Sequence, residues 1–258
     1  MKKIFFALAL ALTLGLSSCW ETPTNIYTGS FSRVVTIDTT DATVKLVADY
    51  TGEVFKDLTN LKYTEQLSQF GLASARRAEV MMQVEVNDMY EQKFTMLYGR
   101  PINIQRVSNT VPTEALHPLS GWQLYPLGGT EYAPAVWVHD GYLNILPVIP
   151  SLTAGRYYLT PDSAVSDTLH FSLKAGYTPS AANMFYENIQ CYDLRTLRDT
   201  AKADAEMRGK MEAMLSAMDA LKKDSMRIVV TSLFDIHYYE KDTIMEQSAM
   251  TNFFKYNF

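Results

Sequence analysis

Apolar and polar positions alternate most cleanly over 78–86, where Ala78, Val80, Met82, Val84 and Val86 interleave with Glu79, Met81, Gln83 and Glu85. A period of two sends alternate side chains to opposite faces, so this segment reads as a half-buried strand. Weaker alternation covers 31–37 and 43–47, separated by the turn residues Asp38-Thr39-Thr40-Asp41, and a further strand begins at Val54-Phe55 after Gly52. Residues 57–70 are mixed and predict at most a helical turn. Asn87-Asp88 supplies turn chemistry, and 93–98 and 102–107 follow as strands. Five or six short strands over about 80 residues predict a small closed barrel or a sandwich.

The second half starts with a weakly periodic stretch, 109–127, that holds Pro112, Pro118, Gly121 and Pro126 and reads as a linker. Strands at 135–139 and 142–146 flank Asp140-Gly141, a strong hairpin signal. Further strands are predicted at 156–159, 168–174 and 189–196. The period then changes. Residues 199–224 contain no proline and only Gly209, and Met207, Met211, Met214, Leu215, Met218 and Leu221 fall at helical spacing. That spacing makes one apolar stripe on an amphipathic helix. Strands resume at 226–233, 236–239 and 252–258. The expected chain is mainly β, with a domain at 29–110, a linker at 111–127 and a β-sandwich at 128–258 that carries the helix of 199–224.

The amino-terminal segment is of another kind. Met1-Lys2-Lys3 is cationic, and the thirteen residues 4–16 are apolar except for Thr13 and Gly15. The run is short of the roughly 20 residues a membrane-spanning helix needs, but it suits the apolar region of a secretory leader. Leu16-Ser17-Ser18-Cys19 then resembles the lipobox of bacterial lipoproteins. The resemblance implies a leader over 1–18, a diacylglycerol thioether on Cys19, cleavage before it and acylation of the new amino terminus. Residues 19–28, rich in Thr, Asn and Pro, are expected to be a tether.

Charge and cysteine content sharpen this picture. The chain carries 23 basic and 28 acidic side chains, a net charge of −5, and losing Lys2 and Lys3 with the leader lowers that to −7. Such a balance gives no electrostatic footprint for nucleic acid or anionic lipid, so the lipid on Cys19 is the expected membrane contact. With Cys19 acylated, Cys191 is the one cysteine left, and no intramolecular disulfide forms. Trp20-Glu21-Thr22-Pro23-Thr24 lacks the acidic cluster that resembles a surface-export signal. An outer-membrane lipoprotein on the periplasmic face is therefore favoured over one on the cell surface.

Three stretches also resemble the NigD-like family of Bacteroidetes lipoproteins. They are Phe70-Gly71-Leu72 leading into the strand of 77–86, the Trp137…Gly141-Tyr142-Leu143-Asn144 hairpin, and Leu169-His170-Phe171-Ser172-Leu173 with the later Leu194-Arg195. The resemblance implies an N-terminal OB-like barrel and a C-terminal β-sandwich, with no activity, cofactor or catalytic residue to carry over. The chain departs from the family pattern at Ser74-Ala75, where a glycine is expected, and in the long helix. An OB-like barrel raises nucleic-acid binding as a reading, and the acidic, exported chain argues against it.

Candidate chemistry is sparse. His117, His139, His170 and His237 are scattered, with no metal-ligand spacing, so a metal-dependent hydrolase is the weaker alternative. Cys191 has Gln190 and Tyr192 as neighbours and reads as a small buried hydrophobe. No nucleophile elbow, Walker loop or dinucleotide fingerprint is present. No cofactor and no enzymatic activity are expected. Two features suggest binding. One is the aromatic series Trp122, Tyr125, Tyr132, Trp137, Tyr142, Tyr157 and Tyr158, which either stacks on glycans or fills a core. The other is the stripe Met207, Met211, Met214 and Met218, which either packs against the sandwich or meets a protein partner. The leading reading is a non-enzymatic envelope lipoprotein that binds or associates with envelope proteins; the alternative is a carbohydrate-binding accessory lipoprotein.

Overall fold

A computed structural model describes residues 25–40, 44–49, 52, 54–56, 63–88, 90, 92–110, 119–120, 135–146, 148–150, 157–175, 185–187, 189–221, 225–238 and 241–255. The chain divides into two compact units between Pro101 and Ile102.

The first unit contains β1 (Ile26–Asp38), β2 (Lys45–Ala48), β3 (Val54–Lys56), α1 (Tyr63–Gln69), β4 (Arg77–Asn87) and β5 (Gln92–Pro101). Its five strands form one antiparallel sheet in the order β3-β2-β1-β4-β5. β1 is central because its 13 residues pair with β4 along nearly their whole length and with β2 at their C-terminal end. The alternation in β4 holds, with Ala78, Val80 and Met82 fully buried. They join Val35, Ile37, Leu46, Phe55 and Met96 in one apolar core. Phe31, Phe55 and Phe94 close one end of that core, with ring centroids 5.0 to 6.3 Å apart.

Helix α1 is closed by a glycine cap. Gly71 takes φ +70°, its N–H donates to Ser68 O at 3.1 Å, and the Leu72 N–H reaches back to Leu67 O at 2.6 Å. This reciprocal pair is the Schellman arrangement, in which a left-handed residue turns the chain and a hydrophobic contact follows. Leu67 and Leu72 are both buried in the sheet's core. The Phe70-Gly71-Leu72 stretch is thus a helix stop that also anchors the helix.

Three expectations change here. Among the described residues no ladder joins β3 to β5, so the expected barrel is an open sheet. Closure needs continuous pairing around the ring, and β3 is three residues long. The expected tether of 19–28 ends early, because Ile26 already pairs with Asn87. The domain boundary lies after Pro101 rather than at 110, since residues 104–106 pair in the second unit.

The second unit is built from β6 (Ile104–Arg106), β7 (Leu119–Ser120), β8 (Val136–His139), β9 (Tyr142–Ile145), β10 (Val148–Pro150), β11 (Tyr157–Val165), β12 (Thr168–Ala175), β13 (Phe185–Glu187), β14 (Gln190–Asp193), a 3-10 turn (Leu194–Arg198), α2 (Ala205–Ala220), β15 (Ser225–Tyr238), β16 (Lys241–Met250) and β17 (Phe254–Lys255). One sheet runs β6-β14-β9-β8. A larger one runs β11-β12-β15-β16, with β7 and β17 also paired to β15, and β10 pairs with β13. Val136, Leu143, Ile145 and Tyr192 from the first sheet share a core with Leu159, Leu169, Phe171, Leu173, Ile228 and Val230 from the second. Two sheets burying facing apolar rows make a β-sandwich. Asp140 and Gly141 both take positive φ, as a two-residue hairpin turn between β8 and β9 requires.

Helix α2 is shorter than the 199–224 expected. Asp204 caps it by accepting from Met207 N at 2.8 Å, and residues 199–204 only connect it to the 3-10 turn. That turn replaces the second half of the strand expected at 189–196, because the Asp193 carboxylate accepts from Arg195 N at 3.0 Å and draws the backbone out of the ladder. The two strands expected at 226–233 and 236–239 are one, β15. Residues 234 and 235 pair with β16 on one side and β7 on the other, and that backbone pairing overrides the local turn preference of Asp235. β16 was not predicted, and β7 lies inside the expected linker. Among the described residues, no helix is long and apolar enough to cross a membrane.

Candidate functional site

Cys19, Trp122, Tyr125, Tyr132 and His117 lie outside the described residues. The methionine stripe is described, and it points inward. Met207, Met211, Met214 and Met218 are buried in the core of the second unit. Spacing of three and four residues places all four on one face of α2, and that face packs against the sandwich. As a partner surface the stripe is overturned: no side chain in it is available to an incoming protein.

The described aromatics divide by strand parity. Trp137 and Tyr142 are buried, and Arg195 lies over the Tyr142 ring at 4.6 Å from its centroid. Arg195 is held there by its Nε, which donates to the Asp193 carboxylate at 2.6 Å. Tyr157 is buried in the core, whereas Tyr158, one residue on along β11, is half-buried on the opposite face.

His139 ends β8 and His170 lies mid-strand in β12, so these two belong to different sheets. Among the described residues, no group of three or more His, Cys, Asp or Glu side chains is placed to hold a metal ion. Cys191 is buried within β14, its backbone paired with Asn144 on one side and Ile104 on the other.

The structure instead brings together a groove of about 370 Å³, with polar side chains among an otherwise apolar lining, between residues 103–110 and the start of β11. Residues 104–106 pair with β14 in a parallel ladder. The Val107 N–H then donates to Thr196 Oγ1 at 3.0 Å, the Ser108 N–H to Leu159 O at 2.8 Å, and Asn109 Nδ2 to Asp199 O at 2.9 Å. Arg106 pairs with the Asp199 carboxylate. Gln105 Nε2 donates to Gln190 Oε1 at 2.6 Å, which sets the orientation of the Gln105 amide. The wall is therefore fixed at five consecutive residues. Sequence reasoning placed 102–107 in the other domain and missed this site; the adjacent aromatics Tyr157-Tyr158 were the one signal toward it.

No family model and no curated protein matches the chain. Solved structures do. A provisionally assigned lipoprotein from Bacteroides fragilis is similar over 89% of this chain and 100% of its own, with 12% identity and a TM-score of 0.54. A NigD-like immunity protein from Bacteroides caccae is similar over 85% of this chain and 91% of its own, with 14% identity and a TM-score of 0.46. A provisionally assigned toxin-related protein from Parabacteroides distasonis is similar over 85% of this chain and 93% of its own, with 12% identity and a TM-score of 0.41. A NigD-like protein thus stands among the structural neighbours, and the likeness to the first concerns the fold.

Proposed function

We propose that this protein is a lipid-anchored component of the bacterial cell envelope that works by non-covalent binding rather than by catalysis. The observation that carries the reading is the cationic start, apolar run and Leu16-Ser17-Ser18-Cys19 at the amino end. Several acyl chains on one residue hold a protein stably at a bilayer, each buried CH₂ contributing about 0.8 kcal/mol. The fold shared with a provisionally assigned Bacteroides lipoprotein supports the same reading. The acidic balance of the chain supports a lipid anchor over a basic membrane patch. The proposed address is the periplasmic face of the outer membrane.

Metabolic labelling with an alkyne fatty acid in a Bacteroides host tests the anchor. Label on the wild type, lost in Cys19→Ala with release to the soluble fraction, is the expected outcome. Label retained in Cys19→Ala overturns the reading. Resistance to protease in intact cells, with digestion after outer-membrane permeabilisation, is expected for the periplasmic face.

A further inference from the structure

We infer that the groove between residues 103–110 and β11 binds a neutral oligosaccharide. Its volume of about 370 Å³ falls within the ~300–1,000 Å³ range typical of small-molecule sites.

Charge narrows the ligand class first. Among the described residues of the lining Arg106 alone is charged, and its guanidinium is paired with Asp199. Among the described lining residues an anion finds no cation without a counter-ion, and a cation finds no carboxylate. The exposed lining mixes apolar with polar surface, and a wholly apolar ligand would strip water from the amides and hydroxyls of Asn103, Gln105 and Ser108 without replacing their hydrogen bonds, which is unfavourable.

A neutral molecule with many hydroxyls and C–H faces matches the described wall. The side chains of Asn103, Ser108, Thr110 and Tyr158 line the groove and make no hydrogen bond to protein among the described residues. The oriented amide of Gln105 adds an acceptor, because its Nε2 is committed to Gln190 while its Oε1 receives no protein donor among the described residues. Carboxamides and hydroxyls both donate and accept, as sugar hydroxyls do. Tyr158 contributes a partly exposed aromatic ring for the C–H face of a pyranose. The bonds that pin 105–109 in place hold this wall before any ligand arrives, which lowers the ordering cost of binding.

The inference names a ligand for the binding role proposed above, and one experiment separates the two. The acylated protein, purified from membranes in a detergent without a sugar headgroup, is applied to an array of neutral oligosaccharides (maltotriose, cellotriose, mannotriose, diacetylchitobiose) and acidic ones (sialyllactose, a heparin tetrasaccharide). Retention of at least one neutral oligosaccharide and none of the acidic ones is expected. Asn103→Ala and Tyr158→Ala should each weaken that binding at least tenfold with unchanged thermal melting. Tyr158→Phe, which keeps the ring, should lose less than Tyr158→Ala. No retention, preference for the acidic probes, or equal retention by the variants would overturn the inference. A protein that is acylated at Cys19 but silent on the array leaves the anchored reading standing and removes only the glycan.

Discussion

Arg77 grips Asp49 through two hydrogen bonds, Nη1 to Oδ1 at 2.7 Å and Nη2 to Oδ2 at 2.5 Å. The arginine is wholly buried and the aspartate is 4% exposed. Thr36, the cross-strand partner of Arg77, also accepts from Nη1 at 2.6 Å. The pair ties β4 to the end of β2, and it stands on the strand parity opposite the apolar core, where Glu79 and Met81 also fall. Deleting one partner of such a pair leaves a buried charge without its counter-ion, a cost of roughly 3–5 kcal/mol. Asp49→Ala should therefore lower the urea midpoint steeply. Asp49→Leu combined with Arg77→Met should lose much less than the sum of the single changes, as a double-mutant cycle would read out.

Gly71 is strained for any other residue. Its φ of +70° costs an L-residue about 1–2 kcal/mol, so Gly71→Ala should destabilise the first unit by that order. The cap's leucine has a second constraint, because a Cβ on Gly99 would stand 2.6 Å from Leu72 Cδ1. Gly99→Ala should also destabilise, while Gly209→Ala on the open face of α2 should stabilise by about 0.5–1 kcal/mol. Opposite signs for Gly99 and Gly209 in thermal melts check both assignments.

Met211 and Met214 are core residues, not contact residues. Met214→Ala should cost about 2–5 kcal/mol, against less than about 0.5 kcal/mol for an exposed position. Peroxide footprinting should oxidise Met81 and Met250, which are 40% and 51% exposed, well before either of them. Early oxidation of Met211 would contradict the packing of α2.

Burial pushes the phenol of Tyr192 far above the usual tyrosine value, with a smaller contribution from neighbouring Cys191. The unfolded chain ionises it near 10, so its share of stability is intact below that pH and falls as pH rises beyond it. The slope should approach about 1.4 kcal/mol per pH unit in alkaline unfolding curves. Tyr192→Phe should flatten that slope. It should also remove the hydrogen bond to Tyr157 O, 3.2 Å long, at about 1 kcal/mol near neutrality.

Local patterning alone determined the strand character of β4, the Asp140-Gly141 hairpin and the helix carrying Gly209, because period and turn chemistry act over a few residues. The Leu16-Ser17-Ser18-Cys19 pattern behind the proposed acylation is legible in the same way, being read from the linear chain. Tertiary structure decided the rest. The same methionine spacing fits an exposed stripe or a packed one, and only the facing sheets settle that Met207, Met211, Met214 and Met218 are core. The strand of residues 104–106 is equally short and ambiguous by itself; its pairing with β14, far along the chain, moves it to the second unit and builds the wall of the groove. Pairing partners distant in sequence leave no local period, and so the groove formed by Asn103, Gln105 and Tyr158 exists only once those strands have met.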